Sequence, residues 1–252
     1  MILISPAKNM RFDLDHKNFD TLDPIFQKQT DYLVAKIKKL SKSEIKSLMK
    51  ISDNLSSLNY ERYKTFSQKS RFKSNAIFVF SGDTYIGLDA RSLSRKEINY
   101  SQSHLRILSG LYGIIRPLDN IQPYRLEMGC TTNSFLGKSL YEYWTDVVTS
   151  QINLEITQKK INFLFNLASI EYFKCINRDK VLSPIITPIF YQNRGGELKN
   201  IGIISKKSRG RMARYIIKNK INNPQDLQKF SDDGYKYESF DNKTGNIVFI
   251  KN

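Results

Sequence analysis

MILISPAK, residues 1–8, sets four apolar residues before a small polar loop that ends in a lysine, and two later segments repeat the plan. AIFVF (76–80) runs into Ser81-Gly82-Asp83, and INFLF (161–165) runs into Asn166-Leu167-Ala168-Ser169. Short apolar runs without alternation are what a strand buried on both faces requires. In open α/β sheets the loops that follow such strands form the ligand crevice. Three loops of similar character therefore predict one shared cleft.

Working outward, PIITPIFYQ (184–192) and NIGIISKK (200–207) are further strand candidates. YKYESF and NIVFI, joined by DNKTG (241–245), predict a C-terminal hairpin. Apolar spacing of three and four predicts helices over 25–39 and 43–50. The same spacing of Leu105, Leu108, Tyr112 and Ile115 predicts a short helix that ends near Gly113. Ser139–Ile156 is amphipathic, a further helix is expected from about Ser208, and Asn223-Pro224 supplies a cap and first residue for another. The expected fold class is α/β, with a mixed α+β arrangement as its variant. It is read as one compact domain over 1–252, with a mixed sheet, flanking helices and a basic cleft.

The chain of 252 residues, 40% of them hydrophobic, can bury a full core as one domain. The opening apolar run is too short for a signal peptide, and no segment reaches the roughly 20 residues of a membrane span. Cys130 and Cys175 lack CxxC spacing and read as free thiols of a reducing cytoplasm. The formal net charge is +16. It points to a polyanionic partner, nucleic acid first, although an AT-rich genome's lysine bias accounts for part of the excess.

HLRILSGLYGIIRPLDNIQPYRLEMG (104–129) sets His104, Arg106, Arg116, Asp119, Arg125 and Glu127 among Leu, Ile, Met and Tyr. Charges in an apolar setting are costly unless paired with each other or with a ligand. The run is thus either a ligand-facing cluster or an Arg–Glu network that braces loops. With its neighbours it gives a candidate cleft of Lys8, Asp83, Tyr85, Arg106, Arg116, Tyr124, Arg125, Glu127, Asn166, Ser169, Glu171 and Tyr172. Arginines, a lysine and tyrosines around a few carboxylates suit a phosphate or other anion with an aromatic base, and equally acid–base chemistry.

ISKKSRGRMARYIIKNK (204–220) carries Lys206, Lys207, Arg209, Arg211, Arg214, Lys218 and Lys220 without one acid. On a helix beginning near Ser208, Arg211, Arg214 and Lys218 form one basic stripe, with Lys206 and Arg209 in the loop before it. Such a stripe can follow a phosphate backbone, unless it is an ordinary solvated face. KSEIKSLMKIS (42–52) and NYERYKTFS (59–67) read as two short helices. They form a plain helical hairpin, or a helix-hairpin-helix element whose turn offers N–H groups to a phosphate through Leu55, Ser57, Leu58, Asn59 and Arg62.

Several chemistries are excluded. Thr132 stands where a P-loop before Gly137-Lys138-Ser139 needs its first glycine, and no GxGxxG follows a strand. Two histidines, His16 and His104, and two isolated cysteines assemble no ordinary zinc or iron site, so no metal or cofactor is expected. There is no nucleophile elbow.

The 104–129 run closely resembles the signature of the YaaA family of bacterial peroxide-stress proteins. Similar signatures recur in order at LISPAK (3–8), LMKISDNLSSLN (48–59), GDTYIGL (82–88), NLASIEYFK (166–174) and KKSRGRMARYII (206–217). The chain departs from the pattern at Asn9, Ser57, Ser81 and Ile170. The resemblance implies a role in peroxide protection that limits oxidative DNA damage and lowers free iron, the latter indirectly given the lack of a metal site. It also implies a helix-hairpin-helix DNA-binding element. The expectation is a cytoplasmic monomer that binds duplex DNA, bulged or damaged duplexes included, with little sequence preference. The rival is an enzyme acting on a nucleotide or other small phosphorylated or anionic ligand in the cleft.

Overall fold

The computed structural model describes residues 1–12, 19–67 and 73–252, so His16 lies outside the described residues. Eight strands form one sheet among them: Ile2–Ile4 (β1), Leu105–Ser109 (β2), Gly113–Ile115 (β3), Leu164–Leu167 (β4), Ile185–Arg194 (β5), Glu197–Lys199 (β6), Lys236–Asp241 (β7) and Asn246–Lys251 (β8). Their order is β7-β8-β5-β4-β1-β2-β3, with β6 folded back on β5. The run β8-β5-β4-β1-β2 is parallel. Antiparallel β7 and β3 close its two edges. The fold is thus mixed α/β.

Every residue of β1, β2 and β4 is buried, which explains their mostly apolar character; the polar members, Arg106, Ser109 and Asn166, are each hydrogen-bonded. The main helices are Gln27–Ile37 (α1), Lys42–Met49 (α2), Asp53–Thr65 (α3), Asp83–Leu88 (α4), Arg95–His104 (α5), Leu140–Lys159 (α6) and Gly202–Asn219 (α7). Three start at a Ser-x-x-Glu box, Ser41/Glu44, Ser94/Glu97 and Ser139/Glu142, in which serine and glutamate cap each other's backbone N–H. Arg106, in register with Leu3, reaches Glu155 of α6, whereas Ile2 and Phe165 share a cavity wall with Ile216 of α7. Side chains alternate across a strand, so α6 and α7 cover opposite faces of the sheet.

Three expectations need correction. The segment around Leu105 and Ile115 is the β2–β3 hairpin rather than a helix. A strand buried on both faces is apolar at most positions, and within such a run a spacing of three and four arises without any helical face. AIFVF is not a sheet strand. Ala76–Val79 makes one helical turn, tied by Ala76 N–H to the Asp119 carbonyl at 2.9 Å and Ile77 N–H to the Pro117 carbonyl at 3.0 Å, and only Phe80–Ser81 extends, against Asn9–Met10. NIGIISKK opens α7 instead of forming a strand, so this helix begins six residues before Ser208. The C-terminal hairpin forms as expected, and Pro224–Lys229 is a 3-10 helix capped by Asn223.

Arg106 is almost fully buried and belongs to a bracing network. Its Nε donates to Glu155 Oε1 at 3.0 Å, and other guanidinium N–H groups reach Glu155 Oε2 and the Gln102 carbonyl, while Lys159 also pairs with Glu155. Burial alone would raise the Glu155 carboxyl; the hydrogen bonds and charges of Arg106 and Lys159 outweigh it and hold the group at about 2. A depressed carboxylate contributes stability that is complete above its unfolded pKa of about 4.3 and is lost as pH falls through the folded value. Glu155→Gln is therefore expected to cost about 3–5 kcal/mol at pH 7, because it leaves Arg106 buried without its counter-charge. Urea unfolding from pH 7 to pH 3 should show the wild type losing stability steeply below pH 5 and the variant losing less. Parallel pH profiles for the two proteins would contradict this account.

Candidate functional site

The direction of chain progression reverses at β1. The chain leaves β1 for β2 on one side and leaves β4 for β5 on the other, so a crevice opens beyond the carboxyl ends of β1 and β4. Ser5 and Ser169 stand just past those ends. The Ser169 N–H donates to Ser5 Oγ at 2.8 Å, and Ser5 Oγ donates to Ser169 Oγ at 3.3 Å. A cavity of about 490 Å³ lies there, within the ordinary range for small-ligand sites.

Four segments build its wall. The loop after β1 brings Pro6, Ala7, Lys8 and Asn9, and is pinned by the Tyr85 hydroxyl, which donates to the Ser5 carbonyl at 3.1 Å. The start of α4 brings Asp83, Thr84 and Tyr85; the loop after β4 brings Ser169, Ile170, Glu171 and Tyr172. From α7 come Lys206 and Arg209. The two helices cross backbone to backbone. A Cβ at Gly87 would overlap the Lys207 carbonyl oxygen, and one at Gly210 would overlap the Thr84 carbonyl oxygen. Only glycine at both positions lets α7 lie close enough to α4 for its cations to share a cavity with Asp83.

The charges divide into committed and uncommitted groups. Glu127 takes Lys8 at 3.0 Å and Arg125 at 3.0 Å, one on each oxygen. Glu171 Oε1 accepts the Gly129 N–H at 3.0 Å. Arg209, Lys206 and Asp83 make no ion pair or side-chain hydrogen bond among the described residues. Arg209 is half-buried, and burial holds its guanidinium below the ordinary arginine value. Tyr85 and Tyr172 are buried, which raises both phenols well above the usual range and leaves them as neutral donors. Cys130 is pushed up to about 11 and Cys175 to about 12, each chiefly by burial, so both are thiols at neutral pH.

Of the candidates, Lys8, Asp83, Tyr85, Glu127, Ser169, Glu171, Tyr172, Lys206 and Arg209 converge on the cavity, with Arg125 behind Glu127. Arg106 does not, being held by Glu155 at the opposite end of β2. Arg116 is held by Asp119 at 2.7 Å and the Asp23 carbonyl at 2.8 Å. Tyr124 is buried behind the wall on Ser109 Oγ at 2.7 Å, and Asn166 shapes the loop after β4 by accepting the Ala168 N–H at 3.1 Å. The basic stripe is interrupted by acids from other elements: Arg211 meets Asp233 at 2.7 Å, while Arg214 donates to the Leu88 and Asp89 carbonyls at 3.1 and 2.8 Å. Lys207 is half-buried and Lys218 exposed, and neither is paired among the described residues. Leu55, Ser57, Leu58, Asn59 and Arg62 all lie inside α3, so they form no turn. The turn is at Lys50–Ser52, where Ser52 caps the Leu55 N–H and Asp53 occupies the first helical turn, which disfavours an anion. The element is two helices joined by a three-residue turn that does not include the five named residues.

Sequence reasoning placed the loop of Ser5 at the cleft without singling that serine out, and missed Thr84 and Ile170 as lining residues and the glycine pair that brings α4 against α7. The serine signal was available, since Ser5 and Ser169 each follow an apolar strand in a short polar loop. Among the described residues no helix is long and apolar enough to cross a membrane.

Fold and site together define a mixed α/β protein with a cavity of charged, hydroxyl and apolar side chains at the point where strand order reverses. The chain belongs to the peroxide stress protein YaaA family, whose model matches residues 1–240. It is 42% identical over 254 residues to a UPF0246 protein of Legionella pneumophila strain Corby, covering 100% of this chain and 99% of the relative. It is also 41% identical over 251 residues to a UPF0246 protein of Polynucleobacter asymbioticus (99% and 97% covered). A UPF0246 protein of Shewanella woodyi is 40% identical over 251 residues (99% and 98% covered).

Gly210→Ala tests the crossing on which the site depends. The added methyl group meets backbone rather than a side chain that could move aside, so the cost is expected at or above the usual overpacking range of about 1–3 kcal/mol. Urea unfolding of this variant beside Gly202→Ala, where a Cβ meets open space, is the measurement. Equal stability of the two variants would remove the crossing as a constraint.

Proposed function

We propose that this protein serves the peroxide stress response by binding DNA through the phosphodiester backbone, with little sequence preference, on the cationic face formed by the first half of α7 and the cavity rim. The observation that carries this reading is the uncommitted state of Lys206, Lys207 and Arg209, in contrast to Arg211 and Arg214. A cation already paired gains little from a phosphate, whereas an unpaired one displaces condensed counterions and gains their release. The net charge of +16 draws the protein to a polyanion. Displacing condensed cations also fits peroxide defence: ferrous ions belong to that atmosphere, and Fenton chemistry harms DNA where the metal sits. Any influence on iron is then indirect. A second reading, an enzyme or receptor for a small anion, is favoured by the concave cavity at the strand-order reversal.

Fluorescence anisotropy with two unrelated duplexes over a salt series tests the first reading. Lys206→Gln, Lys207→Gln and Arg209→Gln should each lower the slope of log K against log salt by about 0.9, equally for both sequences. Arg211→Gln and Arg214→Gln should leave the slope in place and lower stability instead. A slope that follows Arg211 and Arg214 would move the interface to the other half of the helix, and no measurable affinity would leave the second reading alone.

A further inference from the structure

Arg209 and Asp83 line the same cavity, yet they stand too far apart to pair with each other, and neither has another partner among the described residues. An arginine partly withdrawn from water without a counter-charge, facing a carboxylate without a donor, is a costly arrangement for an empty site. A ligand bearing an anionic group and a hydrogen-bond donor satisfies both at once. We propose that the cavity is a binding site for phosphomonoesters that carry free hydroxyl or amino groups, the chemistry shared by sugar phosphates and nucleoside monophosphates. The phosphate is held by Arg209 and Lys206, and Asp83 accepts from the ligand's hydroxyl or N–H.

Three further features fit this ligand class. The cavity volume of about 490 Å³ admits a molecule of that size. Glu127 and Glu171 are already occupied, by Lys8 and Arg125 and by the Gly129 N–H, so they repel an incoming phosphate less than bare carboxylates would. Ile170, which lines the cavity while remaining largely exposed, and the buried Tyr85 and Tyr172 give an apolar wall for a sugar or base. Asp83 is the unusual member. In the first turn of α4 its charge suits the helix dipole, yet it opposes phosphate, an opposition that a donor on the same ligand offsets.

The inference rests on the second reading above, a small-anion site; it shares Lys206 and Arg209 with the DNA-binding face, so Asp83, which that face does not use, is the residue that separates the two. Isothermal titration of the full chain with ribose 5-phosphate, adenosine 5′-monophosphate, ribose and inorganic phosphate tests it. Either phosphomonoester should bind at least about tenfold more tightly than inorganic phosphate, and ribose should not bind measurably; which ester binds better separates the two sources. Asp83→Asn should act with opposite signs, tightening inorganic phosphate and weakening the preferred ester by about tenfold, the worth of a charge-assisted hydrogen bond. Arg209→Gln and, should that variant fold poorly, Lys206→Gln should weaken both. Equal affinity for esters and inorganic phosphate, or an Asp83→Asn effect of the same sign on both, would overturn the proposal yet leave a simple anion site. Absence of binding by all four compounds would overturn the small-anion reading with it.

Discussion

At Gly87 and Gly210, α4 and α7 touch backbone to backbone, and much of what this protein presents to a ligand depends on that contact. Helices with side chains at the crossing stay about 8–10 Å apart. Removing the Cβ from both partners lets the carbonyls of Thr84 and Lys207 occupy that space. The consequence is electrostatic. Asp83, near the amino end of α4, and Lys206 and Arg209 on α7 come to line one cavity, although 123 residues separate Asp83 from Lys206.

Tertiary contacts also decide which cations are free. The α7 segment has no acid of its own, so every charge on it must look outward for compensation. Arg211 finds it at Asp233 in the turn before β7, and Arg214 finds it at the carboxyl end of α4. Both arginines thereby clamp α7 to its neighbours. Lys206 and Arg209, one to two turns earlier, face the cavity, where Glu127 and Glu171 are already satisfied. The same helix thus braces the fold with its second half and offers charge to a ligand with its first.

A similar division runs through the 104–129 segment. Arg106 and Arg116 are held by Glu155 and Asp119 and stabilise the sheet and its loops; Glu127 stands at the cavity with Lys8, and Arg125 pairs with Glu127 from behind. The charges of the 104–129 segment thus form two ion-paired groups, at opposite ends of one buried strand and its continuation, and only the second borders the cavity. Strand geometry makes this natural, because Arg106 near the amino end of β2 and Glu127 beyond its carboxyl end cannot reach the same space.

Apolar runs that end in Ser-Pro-Ala-Lys and Asn-Leu-Ala-Ser sufficed to place two central strands, the α/β class and a crevice with Lys8 and Ser169 in its wall. Ser-x-x-Glu boxes and the DNKTG turn mark helix starts and the last hairpin, since capping and turn chemistry act over a few residues. Local pattern was misleading where burial is complete, as in the β2–β3 hairpin, because periodicity needs a polar face to be visible. It was also misleading in the 204–220 stripe, where the compensating acids come from elements remote in sequence. The sequence by itself determined two central strands, the last hairpin, the helix caps and the excess of positive charge, all products of short-range chemistry. Which charges are spent on the fold and which remain for a ligand was decided only in three dimensions, because pairing depends on distances that exist once α7 has docked on α4.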